Sequence, residues 1–577
     1  MDRPLYNESQ LNSASLEYFN GDELASKVWV KKYALRSSQE GLYEEVTPDD
    51  TIKRLSAEIH RTELKYPNPM SYDDIYKTLK DFKHFIFGGS IMFSLGNNKA
   101  VSSLGNCFFI DNGADSYGGI FNTDESLVQL MKRRGGVGIT LEHLRPSTAY
   151  VNNSAHSSTG AVSFMDRFSH STREVAQDGR RGALMITMHI NHPDVEDFIM
   201  AKDDLTKITG ANISVKVTDE FMRCVENNND YILRWPTDSN PIISNDYQYN
   251  KLYKLNDGTY VKRIKAKDLW NVIIKQAHKN AEPGVIFWDR VIQESPADMY
   301  ASVGFRTKGT NPCGEVPLSP YDSCRLGSIN LFELVENPFT PKARLNWQRL
   351  LVMARIAQRL MDDIVDLEEE KILNIISKIQ KDPESPELKQ TEINLWKNVL
   401  KVLRNGRRTG VGVVGLADMF AALGLTYGTP EATELAERVQ KEIAIASYKE
   451  SVQLAKERSP FLVWDVAKEA GNPFLSRVLN NFNETEFADY LNYGRRNISN
   501  ISIAPTGTLA MMTQTASGIE PVFKIFFRRR RKVNPNEEGV NITFVDQNGD
   551  SWEEYNVMHI PFTSELVAEL PGIGTSA

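Results

Sequence analysis

The chain has 577 residues, 41% hydrophobic and 25% charged, with a formal net charge of -8 and four cysteines. That composition suits a globular protein with a large core. The acidic balance argues against a broad nucleic-acid surface, and so few cysteines exclude a secreted disulfide framework. No apolar run approaches a membrane span, and the opening MDRPLYNESQ carries no signal-peptide pattern. The expectation is a cytoplasmic enzyme whose cysteines are catalytic or inert core residues.

In chain order, residues 1–95 read as a helical N-terminal region. Ser13 to Leu35 carries spaced apolar residues. Thr47-Pro48-Asp49-Asp50 and Ser71-Tyr72-Asp73-Asp74 each place a capping residue before acids at a helix start. At Phe87-Gly88-Gly89-Ser90 the texture changes. Residues 96–577 alternate short apolar runs with amphipathic stretches and Gly-rich turns, the pattern of parallel strands with crossover helices. Strands are expected at Asn106–Ile110, Gly136–Leu141 and Asn500–Ala504. The polar, Pro-broken stretch Lys378–Glu392 reads as a surface excursion between helices. The basic run Phe526–Lys532 reads as a solvated edge or a patch facing phosphates or another subunit.

The densest chemistry lies at Asn311-Pro312-Cys313-Gly314-Glu315, followed eleven positions after Cys313 by Cys324. As a strand, the segment would put Asn311, Cys313 and Glu315 on one face by alternation. That face would offer a thiol, a general base and a hydrogen-bonding amide. Cys324 adds redox capacity. Cys107 begins an apolar run, where a lone cysteine is more often a small buried hydrophobe, and Cys224 sits on an amphipathic helix as a core residue. Pro505-Thr506-Gly507-Thr508 lies between an expected strand and a helix start, either as an anion site or as an ordinary helix cap. Gly135 and Gly136 allow close backbone approach.

Two signals are rejected. Gly410–Gly415 fits GxGxxG but lacks the preceding strand and the distant acid of a dinucleotide site, and a tightly packed barrel segment fits it better. His189, His192 and Asp194 lack zinc-protease spacing, and no metal site is expected.

The ordered set of motifs resembles the ribonucleotide reductases. It comprises Gly21–Trp29, Gly135–Gly138, Ser163–Met165, Gln177–Ala183, Asn311–Glu315, Arg407–Gly415 and Pro505–Thr508. The short gap between Cys313 and Cys324 is similar to the adenosylcobalamin-dependent (class II) branch. The resemblance implies a ten-stranded α/β barrel of the ribonucleotide reductase/glycyl-radical type after the helical region, with its last strands missing. It implies reduction of ribonucleoside diphosphates, with Cys313 as the thiyl radical, Glu315 as base on the 3'-hydroxyl and Asn311 holding substrate hydroxyls. Cys107 and Cys324 would be the reducing pair. Ser90, Gly135, Gly136 and Pro505–Thr508 would face the substrate. Asp115, Ser116, Arg145, Gln177 and Arg180 would bind a deoxynucleoside triphosphate or ATP effector.

Adenosylcobalamin is the implied cofactor. The implied partners are a thioredoxin-like thiol reductant, a second copy in a homodimer and a C-terminal companion chain. The companion is expected because relatives run on past Ala577 and no CxxC pair occurs here. The alternatives are a class I large subunit fed by a separate metal subunit, or a non-catalytic nucleotide-binding half of a split enzyme.

Overall fold

The computed structural model describes residues 4–558 except 112, 176–181, 242–243, 245, 523, 525, 534–541 and 547–548. The N-terminal helices start where the caps predict. Thr47 and Asp50 form a capping box ahead of helix Pro48–Glu63, with Pro48 in the first turn. Ser71 accepts the Asp74 N–H ahead of helix Tyr72–Leu79. The stretch Ser13–Leu35 is not one helix: Glu8–Tyr18 and Glu23–Lys32 are separated at Gly21, whose φ of +89° suits glycine. Trp29 is fully buried, and its indole N–H donates to Thr51 at 3.0 Å, which pins the second helix to Pro48–Glu63.

Nine strands frame the site. They are β1 (Phe85–Phe87), β2 (Cys107–Ile110), β3 (Gly136–Thr140), β4 (Leu184–His189), β5 (Asn212–Val217), β6 (Gly284–Phe287), β7 (Ser323–Cys324), β8 (Leu326–Asn330) and β9 (Gly410–Val414). A six-stranded sheet has the order β6-β5-β4-β3-β2-β7. Strands β2 to β6 run parallel, and β7 closes the edge antiparallel to β2. Most residues of β2, β3, β4 and β5 are buried, as expected for a parallel sheet covered on both faces. A second sheet pairs β8 parallel with β9 and antiparallel with β1. Residues 323–330 therefore belong to both sheets and stitch them together. Arg325 sits at that seam, fully buried, donating to the Arg408 carbonyl and the Ser323 hydroxyl.

Long helices cover the sheets. Trp347–Lys381 and Pro386–Gly406 are joined over only four residues, so the polar stretch Lys378–Glu392 is mostly helix rather than an excursion. Pro386 begins the second helix because its missing N–H costs nothing in a first turn. On that helix Trp396 meets Phe108 of β2 edge to face, with ring centroids 5.8 Å apart, which holds the helix against the sheet. The strand expected at Asn500–Ala504 is a single parallel bridge from Ile501 to Val411. Its backbone still follows β9: Val411 N–H donates to Asn500 and Ser502 N–H donates to Val411. Gly410 and Gly412 of the GxGxxG run lie within β9, against Ser502, as a packed strand requires.

Candidate active site

The reactive loop is not a strand. Gly309–Thr310 and Pro317–Leu318 form a short antiparallel ladder, and Asn311 to Val316 make the turn between them. The reason is local. Pro312 lacks an N–H for a ladder, and Gly314 takes a φ of +84°. Asn311 closes the turn from inside: its N–H donates to the Val316 carbonyl, and its side-chain oxygen accepts the Val316 N–H at 3.0 Å. Alternation therefore does not align Asn311, Cys313 and Glu315. The turn separates them, leaving Cys313 exposed at the tip while Asn311 is fully buried.

The loop lies flat on the face of the six-stranded sheet, and the glycines of β3 make this possible. A Cβ on Gly138 would run into the Thr310 carbonyl. A Cβ on Gly136 would stand 2.9 Å from the Pro312 ring and 3.5 Å from the Cys107 sulfur. The Asn212 side chain, at the start of β5, donates to the Pro312 carbonyl at 3.2 Å. Any side chain at these β3 positions would lift the loop. Gly135 is fixed differently: a Cβ there would strike the Phe108 ring.

Cys107 and Cys324 are direct cross-strand partners in the β2–β7 ladder, and both are buried. Residues so opposed have Cβ atoms about 4.5–5.5 Å apart, and a disulfide needs about 3.5–4.5 Å. Closing the bridge would take about an ångström of adjustment. The Cys107 thiol beside it and burial together push the Cys324 thiol well above its ordinary range, and Glu315 adds to the effect. The Cys324 sulfur thus rests as a thiol. Burial also pushes the Glu315 carboxyl up, and the nearby Asn311 amide offsets only part of this. Glu315 Oε2 and Asn311 Nδ2 are both buried without a hydrogen-bond partner among the described residues. A proton acceptor and a donor thus await a polar guest beside three thiols.

Other predicted positions gather at two places. Ser90 is fully buried, its N–H on the Asn106 side chain at 3.0 Å and its hydroxyl on the Arg134 carbonyl. Pro505 and Gly507 are exposed, Thr506 is buried and Thr508 is half-buried. The helix after them, Gly507–Thr513, has only seven residues. The N–H groups of Thr506 and Gly507 both donate to the Ser517 hydroxyl, and Thr506 accepts the Gly518 N–H. Hydroxyl groups, more than a helix terminus, therefore characterise this turn. One of them was missed in the sequence: the Tyr33 hydroxyl lies 2.7 Å from the Thr508 hydroxyl. No motif marked Tyr33, since only the fold brings it there from 475 positions away.

At the second place Asp115 and Arg145 form an ion pair at 2.6 Å, and Asp115 also accepts the Arg145 backbone N–H. Ser116 caps helix Tyr117–Met131 by accepting the Gly119 N–H. Gln177 and Arg180 lie outside the described residues. Cys224 is half-buried on helix Asp219–Glu226, packed against the core as expected, and burial raises its thiol.

A cavity of about 640 Å³ opens at the carboxyl ends of the parallel strands, lined by Asp111, Glu142, His189 and Trp288 among others. The thiols sit at the opposite, amino ends. Of the two histidines weighed as metal ligands, His189 lines this cavity and His192 does not. His192 bonds the Leu144 carbonyl and accepts the Asp194 N–H, and His189 accepts the Asn191 N–H. Burial lowers His189 to about 4 and keeps it neutral.

Residues 105–572 match the model of the ribonucleotide reductase barrel domain. The chain belongs to the ribonucleotide reductase family. It is 33% identical over 428 residues to a vitamin B12-dependent ribonucleoside-diphosphate reductase of Mycobacterium tuberculosis, covering 74% of this chain and 51% of that protein. A protein of the same name from Thermoplasma acidophilum is 33% identical over 431 residues, covering 74% of this chain and 47% of the relative. The ribonucleoside-diphosphate reductase large subunit of Variola virus is 23% identical over 504 residues, covering 84% and 60%. The chain spans about half the length of the B12-dependent relatives it matches.

Proposed function

We propose that this chain reduces ribonucleoside diphosphates to deoxyribonucleoside diphosphates by thiyl-radical chemistry, for DNA precursor synthesis. The observation that supports it best is the convergence of three thiols and one buried carboxyl. Cys107 faces Cys324 across a ladder, and the Cys313 loop rests on Gly136 beside the Cys107 sulfur. In this reading Cys313, as a thiyl, takes the 3'-hydrogen of the ribose. Glu315 accepts the 3'-hydroxyl proton, and its raised affinity for protons suits that task. Asn311 holds a substrate hydroxyl with the amide that lacks a partner. The 2'-hydroxyl leaves as water. Cys107 and Cys324 supply two electrons and two protons as they close to a disulfide, and the Cys313 thiol returns the 3'-hydrogen and becomes a thiyl again. The balance is one ribonucleotide and two thiols giving one deoxyribonucleotide, one disulfide and one water.

Adenosylcobalamin, when bound, would supply the radical that oxidises Cys313. The residues fit such a group in one respect: Cys313 is exposed at the tip of its loop, as reaction with a bulky partner demands. The vitamin B12-dependent names of the relatives at 33% identity favour cobalamin over a separate metal subunit. Residues 1–95 form a helical region and 96–577 belong to a ten-stranded α/β barrel. Ser90, Gly135, Gly136 and Pro505–Thr508 face the substrate. Asp115, Ser116, Arg145, Gln177 and Arg180 bind a nucleotide effector. The chain works in the cytoplasm as a homodimer with a thioredoxin-like reductant. Among the described residues no helix is long and apolar enough to cross a membrane.

The test is deoxyribonucleotide formation from a ribonucleoside diphosphate with adenosylcobalamin and excess dithiothreitol. Product should require cobalamin and vanish in Cys313→Ala, while nucleotide binding stays intact. Product that persists in Cys313→Ala would sink the assignment of the radical thiol.

A further inference from the structure

Tyr33 ends the helix Glu23–Lys32 as its C-cap residue, and its ring is 4% exposed. Its hydroxyl bonds one loop and lies beside a helix start far away in the chain. It stands 2.7 Å from the Thr508 hydroxyl, and a Cβ on Gly89 would come within 3.2 Å of the same phenolic oxygen. Gly89 precedes Ser90 at the start of helix Gly89–Ser94, so the oxygen that bonds Thr508 also packs close to the Ser90 segment. The second turn is held elsewhere as well. Ser517 accepts the Thr506 and Gly507 N–H groups at 3.1 and 3.2 Å. Gln514 donates to Asp22 at 3.2 Å and seats the helix Gly507–Thr513 on the N-terminal helices. The N-terminal region therefore builds part of the site.

We propose that Tyr33 is a positioning residue that aims the Thr508 hydroxyl at the substrate diphosphate. This rests on the reductase reading, in which Ser90 and Pro505–Thr508 face the substrate. The two hydroxyls share one hydrogen bond, and either can donate. A phosphate oxygen only accepts, so it draws the Thr508 O–H toward itself. The Tyr33 O–H then donates to the Thr508 oxygen and completes a chain of aligned donors. Tyr33→Phe keeps the ring and removes the hydroxyl, leaving the Thr508 hydroxyl free to rotate away from the phosphate.

The test compares equilibrium binding of a ribonucleoside diphosphate and of its parent nucleoside to the whole chain, by calorimetry without cobalamin. Tyr33→Phe should weaken the diphosphate about 3- to 10-fold, the usual worth of one hydrogen bond, and leave the nucleoside unchanged. Thr508→Val should weaken the diphosphate by at least as much, and the double variant no further than Thr508→Val alone. Equal weakening of both ligands, no weakening, or additive losses would each overturn the assignment. Should Tyr33→Phe melt early, Thr508→Val carries the same split from the other partner. A parent chain that binds the nucleoside but gains nothing from the diphosphate fails the reductase reading itself. A parent that gains from the diphosphate equally with and without the Tyr33 hydroxyl fails only this proposal.

Discussion

Two buried polar clusters in this molecule differ in whether cations meet their carboxyls. The first lies where helix Pro48–Glu63 meets the covering helices. Arg458, with its side chain fully buried, reaches Glu63 at 2.6 Å, Asp363 at 2.7 Å and Asp362 at 3.1 Å. Arg407 and Arg496 also hold Asp362, and Arg359 holds Glu63. Burial alone would push the carboxyls up. For Asp362 the surrounding guanidiniums outweigh it and hold the group far below its usual range, and Glu63 is brought to about 2, whereas burial wins at Asp363 and pushes it well up. The second cluster is the Asn311–Glu315 turn. There Glu315 has no cation to offset its burial, and Oε2 and the Asn311 Nδ2 have no hydrogen-bond partner among the described residues. The first cluster meets its carboxyls with guanidiniums, even though Arg458 Nε and Asp363 Oδ2 lack a hydrogen-bond partner among the described residues, so its work is holding elements together. The second buries a carboxyl with no cation beside it, which under the proposed function leaves bonding for a substrate to complete.

The comparison breaks most visibly at Glu315. Glu315→Gln keeps the shape and deletes the base, so kcat should fall about 10²- to 10⁴-fold, the usual worth of a general base. Single-turnover kinetics with saturating substrate measure this directly. A fall of less than tenfold would mean that the unpartnered carboxyl is not the proton acceptor.

The clamp should respond in the opposite way. Arg458→Met removes one cation and strands Glu63, Asp362 and Asp363, which should cost about 3–5 kcal/mol of stability. Denaturant unfolding reads this as a lower midpoint, while turnover per folded molecule stays near that of the parent. Loss of turnover without loss of stability would erase the distinction between the two clusters.

The sequence carried the second cluster and hid the first. Asn311, Cys313 and Glu315 alternate within five residues and are chemically unusual, so their grouping was legible whatever the backbone. The strand that would have aligned them does not form, because Pro312 and Gly314 impose a turn. The helix starts at Thr47 and Ser71 were legible because caps are local. The pairing of Cys107 with Cys324 and the loop's seat on Gly136 and Gly138 depend on strand order, which only the fold supplies. Arg458 and Glu63 are 395 positions apart and are surrounded by ordinary helical charges. Nothing distinguishes them from solvated residues until the helices pack. Tyr33 was missed for the same reason.

The smallest expected effect is also the most diagnostic, because it compares the signs of two shifts. Glu63 is held low in the fold, so the stability it contributes is present above its ordinary unfolded value and is lost as pH falls toward about 2. Glu315 is raised in the fold, so its charged form costs stability at neutral pH, and the cost fades as pH falls through the raised value. It is gone below the ordinary carboxylate range, where the unfolded chain is protonated too. Glu315→Gln should therefore be more stable than the parent by about 1 kcal/mol at pH 7.5, on the scale of one unsatisfied buried group. The gap should close on acidification to pH 4. Taking the difference between the two chains cancels the buried histidines and the clamp, which titrate identically in both. Paired denaturant titrations at pH 7.5, 6, 5 and 4 measure it. A gap that stays constant across the series would mean that Glu315 is already satisfied in the folded chain. The turn at Asn311–Glu315 would then support its carboxylate as the arginine clamp supports Glu63.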